Sequence, residues 1–166
     1  PQFLDPNDPL AMQGMNLRCH YNKKALYPVE RYVNGLHALR PGNEDLVVFA
    51  AITGVPPDLV DAKALSKVDF TNAQQRDAFY QRLLNDSRMR EVVVDHGTAD
   101  FSDDTLEHSC MSSGGTADPP IRIVQAAKGF GAGGIVQSIC QADFTPALDL
   151  IVEKLGSRLA TRCAMQ

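Results

Sequence analysis

The sequence predicts a doubly wound α/β domain on a mostly parallel sheet, of which this chain supplies only a part. Leu46-Val-Val-Phe-Ala-Ala-Ile52 and Ile135 to Ile139 are short apolar runs without polar alternation, the pattern of strands covered on both faces. Segments with apolar residues at helical spacing stand around them. The resulting order is helix, strand, a long intervening segment, helix, strand and helix, which is how helices wind over both faces of a parallel sheet. Two core strands are fewer than the roughly five or six of an average sheet, so the sheet is expected to be incomplete.

The opening, residues 1–22, reads as loop, because each proline of Phe-Leu-Asp-Pro-Asn-Asp-Pro-Leu turns the residue before it away from the helical region. Asp5, Asn7 and Asp8 are turn formers there rather than calcium ligands. Pro28 suits a first helical position, and Val29, Val33, Leu36 and Leu39 recur at helical spacing until Pro41-Gly42 stops them. The first strand follows. Its end, Thr53, Gly54 and Val55 before Pro56-Pro57, lies at the edge where open α/β sheets usually place ligands.

Residues 58–110 form an insertion of about fifty residues where α/β connections usually take about 2 to 6. Within it residues 72–89 read as helical, with Phe79, Tyr80, Leu83 and Leu84 as the stripe. Glu91 to Asp95 reads as a short strand and residues 95–110 as an acidic loop. Pro119-Pro120 opens a helix through Phe130, on which Ile121, Val124 and Ala127 share a face. Thr145-Pro146, a hydroxyl cap followed by proline, starts the last helix, whose apolar face is Leu148, Ile151, Val152, Leu155 and Leu159.

At 166 residues and 44% apolar content the chain suits one globular domain. A net charge of −4 with mixed signs builds no basic stripe, which excludes nucleic acid as a natural partner. The longest apolar run is about a third of what a bilayer requires. The chain starts with Pro and shows no charged-then-apolar leader, so the start of the gene product is expected to lie elsewhere.

Cys19, Cys110, Cys140 and Cys163 are dispersed, without the close pairs of a zinc site. An even, scattered set fits disulfides in an oxidising compartment, against the alternative of four buried thiols in the cytosol. Cys110 is expected to pair with Cys140, because that bond pins the end of the insertion to the second strand. Cys19 and Cys163 are left for each other or for a portion outside the chain.

Catalytic motifs do not emerge. Gly129-Phe-Gly-Ala-Gly-Gly134 is similar to a phosphate-binding glycine loop but follows a helix and precedes a strand, the reverse of the required context. It reads as a helix stop with a left-handed glycine. Asp95, His96, Asp100, Asp103, Asp104, Glu107 and His108 lack the alternation and the glycine of a calcium loop, and read as a solvated surface. His20 and His37 are isolated, no nucleophile elbow occurs, and Ser112-Ser-Gly-Gly-Thr116 has linker composition.

Arg18-Cys-His20, Tyr27-Pro-Val-Glu-Arg-Tyr-Val33, Asp45 to Ile52, Arg122-Ile-Val124 and Gln137-Ser-Ile-Cys-Gln141, followed by Asp143-Phe-Thr-Pro-Ala-Leu148, resemble a known family. They resemble the C-terminal half of exported von Willebrand factor A-like proteins of the myxobacterial type, many of them lipoproteins. The resemblance covers nearly the whole chain. It implies a Rossmann-like doubly wound fold whose complete form holds a magnesium or calcium ion at an adhesion site. The family's Asp-x-Ser-x-Ser loop does not occur here, so no metal ligand or cofactor contact carries over to this chain. The implied function is a non-catalytic binding or adhesion module of the cell envelope, secreted or envelope-associated, completed by the N-terminal half of the same gene product. The alternatives are a structural subunit of an extracellular surface assembly, in contact with other surface proteins, and a metal-dependent hydrolase using the acidic loop at 95–108.

Overall fold

The computed structural model describes residues 17–97 and 103–163, the last three as backbone only. In chain order the elements are α1 (Arg18–Tyr21), α2 (Val29–His37), β1 (Phe49–Thr53), α3 (Ala62–Leu65), α4 (Ala73–Asn85), β2 (Val93–Val94) and β3 (Thr105–Leu106). They continue with β4 (Cys110–Ser112), β5 (Gly115–Ala117), α5 (Ile121–Gly129), β6 (Gly134–Ser138) and α6 (Thr145–Cys163). The chain is mixed α/β, and its parallel sheet is small. β1 and β6 pair in parallel from Phe49 opposite Gly134 to Thr53 opposite Ser138. Two short antiparallel ladders, β2 with β3 and β4 with β5, stand apart from it.

Local chemistry sets the boundaries. The first strand starts at Phe49 rather than Leu46, because residues 44–46 close a 3₁₀ turn in which Leu46 N–H donates to Asn43 and Val47 N–H to Glu44. The Asp61 carboxylate caps α3 by accepting from Ala64 N–H at 2.6 Å. The Asn72 side chain caps α4 by accepting from Gln74 and Gln75. At the start of α6 the expected hydroxyl cap is replaced: the Asp143 carboxylate accepts from Thr145 N–H at 2.9 Å. That backbone hydrogen bond, with the Thr145 hydroxyl, holds its carboxyl below the usual carboxylate range.

Both strands pack against α5, which also contacts α2 and α4. The glycines after it serve close packing as well as termination. Gly131 takes the left-handed φ of +56° that stops the helix. A Cβ on Gly134 would stand 1.9 Å from the Ala127 carbonyl oxygen, so β6 lies against α5 only with glycine there.

The buried cluster joins Val55, Val60, Phe79, Tyr80, Leu83, Met89, Val124, Ala127 and Val136. Five of these nine come from 60–89. The segment expected to decorate the domain therefore builds much of its core, through α4 and the turns around it. The last helix departs from expectation in the opposite sense. Leu148, Val152, Leu155 and Leu159 are exposed, while Ala147 is buried and Leu150 faces Ile135 and Val136 across a small cavity of about 30 Å³. No helix among the described residues is long and apolar enough to cross a membrane.

Candidate functional site

The carboxyl edge of the β1–β6 pair is the most constructed part of the molecule. Among the described residues the buried polar side chains are Ser109, Gln137 and Ser138, and all three are spent on this edge. The Ser138 hydroxyl donates to the Val55 carbonyl at 2.6 Å and accepts from Cys140 N–H at 3.0 Å. The Ser109 hydroxyl lies between the Gly54 and Ala117 carbonyls, 2.9 Å from the latter. The Gln137 amide reaches the Val60 carbonyl at 3.4 Å. Buried polar groups are costly unless paired, and here each pairing ties the loop after β1 to another part of the chain.

The three residues expected to face a ligand are consequently closed in. The Thr53 carbonyl accepts from both Val55 and Ile139 N–H at 2.8 Å, Gly54 is buried, and Val55 belongs to the core. A Cβ on Gly54 would lie 2.5 Å from the Asp118 carbonyl oxygen, so the arm leaving β5 rests directly on it. What covers the edge is the β4–β5 hairpin. Its tip, Ser112 to Thr116, was expected to be a linker; instead Ser112 Oγ accepts from Gly114 N–H at 3.2 Å, and Gly115, at φ +145°, completes a tight turn.

A disulfide joins Cys110 of β4 to Cys140, just past β6, with Cα atoms 6.0 Å apart, as the sequence suggested. Cys19 is an exposed free thiol and pairs with none of the other described cysteines. The side chain of Cys163 lies outside the described residues.

Between the hairpin tip and the segment from Ile139 to Phe144 runs an open groove of about 640 Å³. Its walls are the hydroxyls of Ser112, Ser113 and Thr116, the backbone of Gly114 and Gly115, and the half-exposed Ile139 and Phe144. Gln141 lines it too, with an amide nitrogen that is buried and without a hydrogen-bond partner. No titratable side chain lines this groove. Such a surface hydrogen-bonds and packs; it offers no acid, base or nucleophile.

The acidic loop is not gathered into a centre. The Asp95 carboxylate accepts from Gly97 N–H at 2.6 Å, and His96 contacts the Thr105 hydroxyl at 3.1 Å. His108 pairs with Asp118 at 2.8 Å at the base of the hairpin. Asp100 lies outside the described residues, as do Asp5, Asn7 and Asp8. Among the described residues no three His, Cys, Asp or Glu side chains are placed to hold a metal ion. His20 contacts Glu91 at 3.1 Å, and Lys23 reaches the same oxygen at 2.7 Å, which fastens α1 to the segment before β2. Burial pushes the Glu91 carboxyl up, but Lys23 and His20 outweigh it and hold it below its ordinary range.

Reasoning from sequence missed Ser109, Ser138, Gln141 and Phe144. The one signal leading to them was the proposed Cys110–Cys140 bond, since it brings the residues beside each cysteine together. Compared with protein-family models, curated proteins and solved structures, the chain has no significant match.

Proposed function

We propose that the chain is a non-catalytic binding module of an extracytoplasmic protein, and that its ligand is an uncharged, extended polypeptide segment held in the groove beside the hairpin. The observation that carries this reading is the groove's make-up: hydroxyls, backbone groups and one unsatisfied amide along the walls, with Ile139 and Phe144 beside them. Hydrogen-bonding groups around a partly apolar floor suit a peptide backbone and its side chains. The Cys110–Cys140 bond joins the two walls, so the groove is formed before any ligand arrives. The same bond supports an oxidising compartment.

An adhesion role, as the resemblance to von Willebrand factor A-like proteins implies, fits this arrangement. The N-terminal half of such a protein would then supply the remaining strands and any magnesium or calcium ligands. The acidic loop gives the hydrolase alternative no comparable support, because its described members make separate local contacts.

Selection of displayed peptides against the oxidised chain tests the reading. Peptides recovered should be poor in charge, and Phe144→Asp should weaken them at least tenfold, while Glu30→Gln, remote from the groove, leaves them unchanged. Binders that ignore both Phe144→Asp and Thr116→Arg would defeat it.

A further inference from the structure

The long helix α6 carries an uncovered apolar stripe. Leu148, Val152, Leu155 and Leu159 are 54, 68, 45 and 62% exposed, whereas exposed apolar residues elsewhere on the chain form no comparable row along a single helix. Their spacing of four, three and four residues is the 3.5-residue repeat of a helix paired with another helix along its length. At 1.5 Å per residue the row is about 17 Å long. The opposite side of α6, through Ala147 and Leu150, lies against the body of the domain, so the stripe points away from it.

We infer that this stripe is a homodimer interface in which α6 of one copy lies parallel to α6 of a second. In heptad terms Leu148 and Leu155 take the d positions and Val152 and Leu159 the a positions; leucine at d with a β-branched residue at a favours two parallel strands. Charge selects the same occupant and direction. With 100° of turn per residue, Asp149 and Glu153 fall on one flank of the stripe and Lys154 and Arg158 on the other. A parallel two-fold axis sets the acidic flank of each helix towards the basic flank of the other. An antiparallel arrangement sets like against like, a repulsion that disfavours it. Because α6 is already folded on its own domain, pairing does not have to pay for forming the helix. The inference does not depend on the groove and stands or falls separately.

Sedimentation equilibrium on the full chain, in a Cys19→Ser background that removes the exposed thiol, reads the assembly directly. At about 100 µM the mass should be that of two copies, and Leu155→Glu or Val152→Glu should weaken association at least a hundredfold with an unchanged circular dichroism spectrum. Direction is read by Leu155→Cys under mild oxidation: in the parallel pair position 155 of one copy meets position 155 of the other, and a covalent dimer joined there should form. A monomer at that concentration overturns the inference. So does a dimer indifferent to both glutamate variants, or one that Leu155→Cys fails to trap but Leu148→Cys combined with Leu159→Cys traps as a 148–159 bond.

Discussion

The hydroxyl of Ser138, at the last position of β6, donates to the carbonyl of Val55, two residues beyond the end of β1, at 2.6 Å. With Ser138 fully buried and its oxygen also accepting from Cys140 N–H, one side chain anchors both the loop that leaves the first strand and the turn that leaves the second.

Ser138→Ala should therefore destabilise the fold by about 1–3 kcal/mol, since it strands a buried carbonyl and a buried N–H together. Urea unfolding of the oxidised protein measures this. Ser112→Ala, on the exposed hairpin tip, should stay within about 0.5 kcal/mol of the parent.

Removing the disulfide with the double substitution Cys110→Ser and Cys140→Ser should cost roughly 3–4 kcal/mol by the chain-entropy account for a closed loop of 30 residues. Hydrogen exchange should quicken first in 110–117, whose hold on the sheet edge then rests on Ser109 alone. Denaturation with and without reductant, compared with the double variant, checks both statements.

Two glycines should respond oppositely to alanine. Gly134→Ala drives a methyl into the Ala127 carbonyl, and Tyr80 Oη also lies 2.8 Å from the added carbon, so the protein should lose more than about 3 kcal/mol or fail to fold. Gly35, within α2, has nothing within 4 Å, and Gly35→Ala should stabilise by about 0.5–1 kcal/mol. Thermal melts of the two variants decide.

Arg88 bridges Asp58 and Asp86 at 2.7 and 2.9 Å, and its hydrogen bonds hold both carboxyls below their ordinary range. A lowered carboxyl pKa contributes stability that is complete above the unfolded value, about 3.9, and disappears as the pH falls through the lower folded value. The groups are largely in water, so Arg88→Met should cost only about 0.5–1 kcal/mol at pH 7. The difference from the parent should shrink as pH drops below about 4; a difference constant down to pH 2 would contradict the assignment.

What the sequence revealed and what it hid divide along physical lines. α2, α4, α5, α6 and both core strands were legible because their apolar residues repeat at 3.6 residues or run unbroken, and the Cys110–Cys140 bond was legible from spacing. The closing of the sheet edge was not. Ser109 reaches Gly54 across 55 residues and Ser138 reaches Val55 across 83, and no local pattern marks such partners. The hairpin was missed because Cys-Met-Ser and Gly-Thr-Ala are too short to alternate recognisably. The core role of α4 was obscured by its many polar residues, since only Phe79, Tyr80 and Leu83 are buried. For α6, periodicity reported which residues share a face and could not report that the domain leaves most of that face uncovered.

The parallel pairing of β1 with β6 also governs when the fold can appear. Phe49 and its partner Gly134 are 85 residues apart in the chain, and the core residues of α4 lie between them. During synthesis β1 emerges with no strand to pair with, and it waits until more than half of the given sequence has followed. Contacts of such long separation are won late, after the entropy of closing a large loop has been met, and chains that depend on them fold slowly. Through that interval an apolar strand stands open at both edges, which makes association with a chaperone, rather than any contact in the finished fold, the condition that governs how much of this protein reaches its native state.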